Sequence, residues 1–321
     1  MRKAATILGI FFIGILLTAC SNGDNGSGDA TGFIGGTQGV QLSFGNNAPP
    51  NPIADGGQQI FPVIVQAENL GEQQVEASNA TITLEGFSYS AFNKTRESLT
   101  SQPPEDIQAN RQTPDGEEID AAPVFTEFPG FSYVDNVQAG YETAMIAKMC
   151  YEYGSTTSTE LCIRDDMLLA DSSSPCQVSS TRDSSSSGAP VQITKVEQEV
   201  STSDRTLVTF TVKNQGSGDV YRSGTTCDPE QGQRVEGDVI VSFSDLNGVT
   251  ELDCRGHRRL GERTFRLRMS QQDLQQGETF TCDMTIPAEN RNNREEPFTA
   301  DLSYLYETST SKTLTVRNSV Q

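Results

Sequence analysis

The sequence contains no tryptophan and only one histidine, His257, in 321 residues. A single imidazole excludes metal centres built from several histidines and active sites that need two of them. Basic residues are also scarce, with 23 Lys and Arg against 43 Asp and Glu, so the net charge is -20. The average field of such a chain repels a phosphate backbone, and we therefore expect no nucleic-acid partner.

Motifs of enzymes are missing as well. The chain has no Gly-x-Ser-x-Gly elbow, no phosphate-binding loop, no dinucleotide fingerprint and no HExxH motif. Adjacent carboxylates such as Asp165-Asp166 are more typical of solvated turns than of a glycosidase pair or a calcium site. We therefore interpret His257 as a surface loop residue and expect no catalytic residue, no metal and no cofactor.

The longest apolar run covers residues 4–17 and follows Arg2 and Lys3. It is shorter than the roughly 20 residues that a spanning helix needs. The run ends in Leu17-Thr18-Ala19-Cys20, which resembles the lipobox of exported lipoproteins. We predict a signal peptide over residues 1–19, lipidation of Cys20, and an extracytoplasmic protein that is lipid-anchored to the cell membrane or envelope. The alternatives are an ordinary signal peptide and an uncleaved anchor.

Residues 20–38 are rich in Gly, Ser and Asn. Such a segment cannot bury apolar surface, so it predicts a flexible tether. A second composition break, the Ser-rich segment 169–189, predicts a linker between a domain at 39–168 and a domain at 190–321.

The two halves resemble one another in sequence. Ala147-Lys-Met-Cys-Tyr-Glu-Tyr aligns without a gap with Ala300-Asp-Leu-Ser-Tyr-Leu-Tyr, and Asn69-Leu-Gly corresponds to Asn214-Gln-Gly near the start of each half. Two matches in the same order indicate a duplicated domain. Within each half apolar residues alternate with polar ones, which is the pattern of strands. We predict an all-β fold of two tandem immunoglobulin-like antiparallel β-sandwiches.

Seven cysteines occur, and lipidation of Cys20 leaves an even number in an exported chain. The disulfide candidates are Cys150, Cys162, Cys176, Cys227, Cys254 and Cys282. They allow 15 connectivities. Cys150 and Cys162 flank a segment with the character of a hairpin centred near Thr156, which favours pairing across it. Cys254 and Cys282 could close a loop, which would leave Cys176 for Cys227.

Segments 61–71 and 207–216 each combine a strand with an Asn-x-Gly turn. They resemble CARDB-type immunoglobulin-like domains of bacterial and archaeal surface proteins. The chain over about residues 39–317 is also similar to archaeal surface lipoproteins, through Met149-Cys-Tyr-Glu-Tyr153 and Gly188-Ala-Pro-Val191 among other segments. The resemblance implies β-sandwiches exposed outside the cell and implies no reaction.

A cluster of arginines stands out from the acidic background, and a partner contact there is one interpretation. Its members are Arg255, Arg258, Arg259, Arg263, Arg266 and Arg268. An outward strand face that carries Arg for solubility and edge protection is the alternative. Sequons for N-glycosylation occur at Asn25, Asn79 and Asn93. The aromatic residues Phe125, Phe128, Phe131 and Tyr133 fit a core strand better than a carbohydrate platform.

Together these features predict a structural, adhesion or interaction module of the cell surface without catalytic activity. Its expected partners are the membrane, through the Cys20 lipid, and other envelope proteins or surface polymers, with self-association as a further possibility. The alternatives are an exported carbohydrate- or peptide-binding subunit of a membrane complex and a hydrolase accessory protein. Aromatic residues lining a pocket near Phe125 and Tyr133 would favour the binding subunit.

Overall fold

A computed structural model describes residues 32–168, 176–227 and 237–319. Residues from Gly32 onward form one compact unit. Strands account for 53% of the residues and helices for 6%, so the prediction of an all-β fold is confirmed. The predicted signal peptide, Cys20 and Asn25 lie outside the described residues.

Twenty strands are described. In the first half they are β1 (Val40–Phe44), β2 (Ile53–Ala54), β3 (Phe61–Asn69), β4 (Ala80–Glu85), β5 (Thr100–Ser101), β6 (Arg111–Gln112), β7 (Glu118–Ile119), β8 (Val124–Phe131) and β9 (Tyr141–Ile163). They continue with β10 (Ser180–Arg182), β11 (Ser184–Ser186), β12 (Val191–Thr202), β13 (Arg205–Asn214), β14 (Asp219–Tyr221), β15 (Asp238–Phe243), β16 (Glu251–Cys254), β17 (Arg258–Arg259), β18 (Thr264–Arg268), β19 (Glu278–Thr285) and β20 (Arg294–Arg317).

Helices are short. The α-helix α1 (Gln271–Gln276) begins with a capping box between Ser270 and Asp273 and ends at Gly277, whose φ of 97° suits a residue without a Cβ. The 3-10 helices are Ala77–Asn79, Arg96–Leu99 and Ala288–Asn290.

The strands form three larger sheets. The first half supplies the sheet β1-β3-β8, and the second half supplies β10-β12-β13-β19-β16. A third sheet, β17-β18-β15-β20-β9-β4-β5, takes strands from both halves, and we call it the shared sheet. Alternation places every second residue of β3 and β13 in the core, as in the buried series Val208, Phe210 and Val212. Each half thus packs its own sheet against part of the shared sheet.

The centre of the shared sheet is a single long antiparallel ladder between β9 and β20. It runs from the pair Tyr141–Val316 to the pair Ile163–Arg294 and is about 75 Å long. Gly154 lies within it, where a Cβ would come within 2.6 Å of the Leu302 carbonyl oxygen. The ladder therefore extends through both halves of the molecule.

The C-terminal ends of the two long strands, β9 and β20, each contact the other half of the chain. The main chain of Cys162 in β9 exchanges two hydrogen bonds with the Gln198 side chain of β12, at 2.9 and 2.8 Å. In the same way the end of β20 pairs with β2 through Ile53 and Val316. The sequence did not predict this exchange. The domain boundaries themselves stay a prediction.

Three disulfides cross-link the chain: Cys150–Cys227, Cys162–Cys176 and Cys254–Cys282. The suggested Cys254–Cys282 pair is confirmed, because Cys254 of β16 lies directly opposite Cys282 of β19. The suggested pairs Cys150–Cys162 and Cys176–Cys227 are wrong. The chain from Cys150 to Cys162 forms no hairpin and continues as the single strand β9, which holds the two cysteines far apart.

The described parts of the predicted tether and linker make specific contacts. The Glu72 carboxylate accepts hydrogen bonds from the main-chain N–H groups of Ile34 and Gly35, at 3.0 and 2.9 Å, and also from that of Gly188. The Gln192 amide donates to the Gly36 carbonyl. In the linker, β10 pairs with β12 and β11 pairs with β9. These hydrogen bonds hold residues 34–36 and 188 together beside the shared sheet.

Candidate functional site

Four buried tyrosines occupy the middle of the β9–β20 ladder: Tyr151, Tyr153, Tyr304 and Tyr306. We call them the dyad tyrosines. Tyr151 pairs with Tyr306 and Tyr153 with Tyr304, whereas in the sequence repeat Tyr151 corresponds to Tyr304. This crossed pairing of the tyrosines follows from a pseudo-twofold axis through the Glu152–Leu305 pair, which relates β9 to β20. The rings pack edge-on or tilted, with centroids 5.5 to 6.4 Å apart.

In the first half, two of these hydroxyls bond to the opposite sheet, one to its main chain and one to a side chain. The Tyr151 hydroxyl accepts from the Val40 N–H at 3.0 Å, and the Tyr153 hydroxyl donates to Asn69 Oδ1 at 2.9 Å. The same oxygen of Asn69 accepts from the Gly71 N–H, and the amide nitrogen donates to the Gln73 carbonyl at 2.7 Å. This set closes the Asn-x-Gly turn over the core.

The second half repeats the arrangement. The Tyr304 hydroxyl accepts from the Val191 N–H at 3.2 Å, and the Tyr306 hydroxyl lies 3.4 Å from Asn214 Oδ1. Asn214 accepts from the Gly216 N–H and donates to the Gly218 carbonyl. The duplication is thus visible as two equivalent sets of hydrogen bonds.

Burial raises the pKa of every dyad tyrosine. The pKa of Tyr151 and that of Tyr304 lie well above the usual value, and the pKa of Tyr306 rises to about 12. At neutral pH the hydroxyls remain protonated and act as hydrogen-bond partners of the main chain. This arrangement is suited to joining the two sheets of each sandwich.

The outer face of the shared sheet carries two surface grooves near the pseudo-twofold axis. Residues 222–227, which we call the latch, cross this face. The latch is held by the Arg222–Asp238 ion pair at 2.6 Å, by a hydrogen bond from the Gly224 N–H to Glu152 Oε1, and by the Cys150–Cys227 disulfide. Beneath it Tyr221, Cys227 and Leu305 form a small apolar cluster separate from the main core.

One groove lies on each side of the latch. The first, of about 560 Å³, is lined by polar side chains that include Glu76, Asn79 and Asp301. The second, of about 540 Å³, is lined by Thr81, Lys148, Glu307 and both cysteines of the Cys150–Cys227 disulfide. In it Lys148 lies 2.8 Å from Glu85 and 3.9 Å from Glu307. These grooves could not be predicted from the sequence, because the latch and the strands beneath it are distant along the chain.

The arginine cluster lies at the far edge of the second half, and much of its charge is paired. Arg255 contacts Asp283 at 2.9 Å, Arg263 contacts Asp245 at 2.9 Å, and Arg266 lies 4.0 Å from Asp238.

Arg259 lies 3.6 Å from Asp253 and stacks on the Phe265 ring at 5.1 Å. Arg258 and Arg268 are exposed on β17 and β18. The paired members favour the structural interpretation, and binding of a partner by the others stays a prediction.

His257 is half-buried in the turn after β16, with its ring 5.9 Å from that of Phe280. Burial lowers its pKa, so the imidazole is neutral at neutral pH.

Of the aromatic group, Phe128, Phe131 and Tyr133 are buried in the core as the sequence predicted, while Phe125 is 52% exposed. Asn79 and Asn93 are both exposed, as a glycosylation acceptor must be. Their modification stays a prediction.

Within the described ranges, no group of three or more His, Cys, Asp or Glu side chains is suited to hold a metal ion. The same residues include no helix long and apolar enough to cross a membrane. The three disulfides indicate an oxidising, extracytoplasmic environment.

Fold and site together define an all-β sandwich protein whose buried polar groups join its own sheets. No protein-family model and no curated protein matches the chain. Among solved structures, the chain is similar to the collagen-binding domain of Erysipelothrix rhusiopathiae surface protein RspB. The match covers 87% of this chain and 96% of that one at 9% identity, with a TM-score of 0.12. A TM-score this low carries no argument about fold or function.

Proposed function

We propose that this protein is a non-catalytic module of the cell surface, anchored by lipid at Cys20 and serving a structural or adhesive role. The observation that carries the proposal is the exchange of β9 and β20 between the two halves. A ladder from Tyr141–Val316 to Ile163–Arg294 ties both sandwiches into one body. Such a body transmits load through many parallel hydrogen bonds, because separating the halves requires the whole ladder to break.

The disposition of polar groups supports the absence of catalysis. The dyad tyrosines and Asn69 make hydrogen bonds to main-chain groups, and the histidine is half-buried against Phe280. The one histidine lines neither groove, whereas an acyl-transfer site of the triad type needs an imidazole beside its nucleophile.

The two grooves favour a second candidate, an exported ligand-binding subunit. Their linings are polar and include Asp301 and Lys148. The aromatic pocket expected for a carbohydrate binder is not formed by Phe128, Phe131 and Tyr133, because all three are buried in the core. The grooves therefore give this candidate weaker support than the ladder gives the structural role.

Lipid anchoring is tested by feeding cells an alkyne fatty acid and comparing the parent with Cys20→Ser. We expect label and membrane association in the parent and neither in the variant. A matched substitution, Ser21→Ala, controls for damage to the signal segment. Equal labelling of parent and Cys20→Ser would contradict the proposed anchor.

The partner class is tested by short-range cross-linking on intact cells from the lysine side chains, of which Lys195 is the best placed, with a side chain that is 49% exposed. Links to envelope proteins or to other copies of the chain support the structural role. Links confined to a transporter or a hydrolase would instead support the binding-subunit or accessory functions.

A further inference from the structure

The disulfide Cys150–Cys227 differs from the other two in its access to solvent. Cys150 is half-buried, Cys227 is 4% exposed, and both cysteines line the groove of about 540 Å³ beside the latch. Cys162, Cys176, Cys254 and Cys282 are at most 5% exposed. A reagent that enters this groove therefore reaches one disulfide and bypasses the other two.

The same disulfide connects parts of the chain that are distant in sequence. It joins β9 of the first half to the latch of the second, across a sequence separation of 77. The latch also makes the Gly224–Glu152 hydrogen bond and the Arg222–Asp238 ion pair. Its apolar contacts form a cluster apart from the main core. Opening this disulfide therefore does not require the core to unfold.

We propose that Cys150–Cys227 is a thiol-exchange site, at which an external thiolate enters the groove and attacks Cys150 Sγ. The new sulfur–sulfur bond forms to Cys150 as the Cys150–Cys227 bond breaks, and the electron pair leaves on Cys227 Sγ. A second thiolate then attacks the reagent's sulfur in the mixed disulfide and releases Cys150 as a thiolate. The protein disulfide is reduced to two thiols, and the reagent is oxidised to its disulfide.

This site adds a chemistry that the proposed surface role does not require. Reduction removes the covalent link between the latch and β9, and opening of the latch then exposes Leu305, which is 3% exposed when the latch is closed. The exchange therefore alters the outer face of the shared sheet while leaving the β9–β20 ladder intact.

The charges of the groove predict which thiols react. Its lining includes the carboxylates of Glu85, Glu152 and Glu307 and the cations of Arg96 and Lys148. With more carboxylates than cations, the groove repels a thiolate that carries a second negative charge more strongly than one that carries no other charge. Dithiothreitol, a neutral dithiol, should therefore react faster than 2-mercaptoethanesulfonate. The ratio of the two rates should exceed the ratio measured for the same reagents with a small disulfide in solution.

The test treats the purified full chain with graded dithiothreitol under native conditions, traps free thiols with iodoacetamide and locates the label by peptide mass spectrometry. We expect Cys150 and Cys227 to be labelled about tenfold faster than the other four cysteines, because the groove gives access to Cys150. Labelling of all six cysteines at one rate, or of Cys162 and Cys176 first, would overturn the proposal.

Charge variants separate entry through the groove from general unfolding. Glu307→Gln should raise the rate of the anionic thiol more than the rate of the neutral one. Glu142→Gln, at the far end of β9, is the matched control and should change neither. An equal effect of the two substitutions would refute entry through the groove.

A protein dithiol of the thioredoxin type tests whether the attacking thiolate can come from a protein as well as from a small molecule. If it opens Cys150–Cys227 in the folded chain and dithiothreitol does not, the site is selective for a protein partner. If neither reagent opens it before the chain unfolds, the proposal fails. Neither result bears on lipid anchoring or cross-linking, so this failure is distinguishable from failure of the proposed function.

Discussion

Asn69→Ala offers the most direct test of the hydrogen bonds that close the turn over the core. Asn69 is 0% exposed and makes three hydrogen bonds, with Gly71, Gln73 and Tyr153. Each contributes about 1 kcal/mol, and a buried group left without a partner costs about 1 to 3 kcal/mol. We therefore expect Asn69→Ala to lower the free energy of unfolding by about 3 to 5 kcal/mol.

The assay is urea denaturation at neutral pH, followed by circular dichroism with the disulfides intact. Because the halves share one sheet, we expect a single transition with an unchanged slope and a lower midpoint. The exposed Asn46→Ala is the matched control and should shift stability by no more than about 0.5 kcal/mol. The equivalent Asn214→Ala should cost less than Asn69→Ala, because Asn214 lies 3.4 Å from its tyrosine hydroxyl.

A double-mutant cycle tests the mechanism itself. Tyr153→Phe combined with Asn69→Ala should show a coupling of about 1 kcal/mol, since the two side chains share one hydrogen bond. A loss below about 1 kcal/mol for Asn69→Ala, or the absence of coupling, would refute the reasoning.

Three further predictions concern pH and cross-links. Because the Val137 and Ser319 N–H groups hold the pKa of Asp55 below its usual value, Asp55→Asn should lower the melting temperature at neutral pH. The difference from the parent should shrink below about pH 4, as the parent carboxylate becomes protonated. Since burial raises the pKa of the dyad tyrosines, the folded chain retains protons above about pH 10 that the unfolded chain loses. Stability should therefore fall above that pH, and phenolate absorbance should show these four tyrosines ionising only on unfolding. Replacing Cys254 and Cys282 by Ser removes a cross-link of sequence separation 28, and calorimetry should show a loss of about 3.5 kcal/mol. An unchanged melting temperature for Asp55→Asn, or for the variant without Cys254 and Cys282, would contradict the prediction for that variant. Ionisation of the dyad tyrosines before unfolding would contradict the prediction for alkaline pH.

The strands and the duplication could be predicted because they depend on local signals. Alternation along Val208, Phe210 and Val212 specifies a strand with one buried face wherever its neighbours lie. The pairing of strands could not be predicted in this way, since an alternating pattern of apolar residues is compatible with many partner strands. Residues 154–156, Gly-Ser-Thr, have the composition of a turn, yet they continue as strand because β20 pairs with them along one edge. That error also produced the wrong pairing of Cys150.

The candidate site was predictable only in part. Both tyrosines of each long strand and the Asn-x-Gly turns stand out in the sequence repeat, but nothing local shows that Tyr153 bonds to Asn69. The latch was not predicted, because its position on the outer face depends on contacts with Glu152 and Leu305 from other segments. Long-range pairing therefore determines the features that sequence periodicity leaves open.

The main chain at Ile34 and Gly35 is held by Glu72, beside Gly188 and close to the dyad tyrosines. Residues 34–36 and 188 therefore lie at the middle of this body and not at one of its ends. A force applied to the main chain at this point reaches both sandwiches over similar distances, so neither half is loaded before the other.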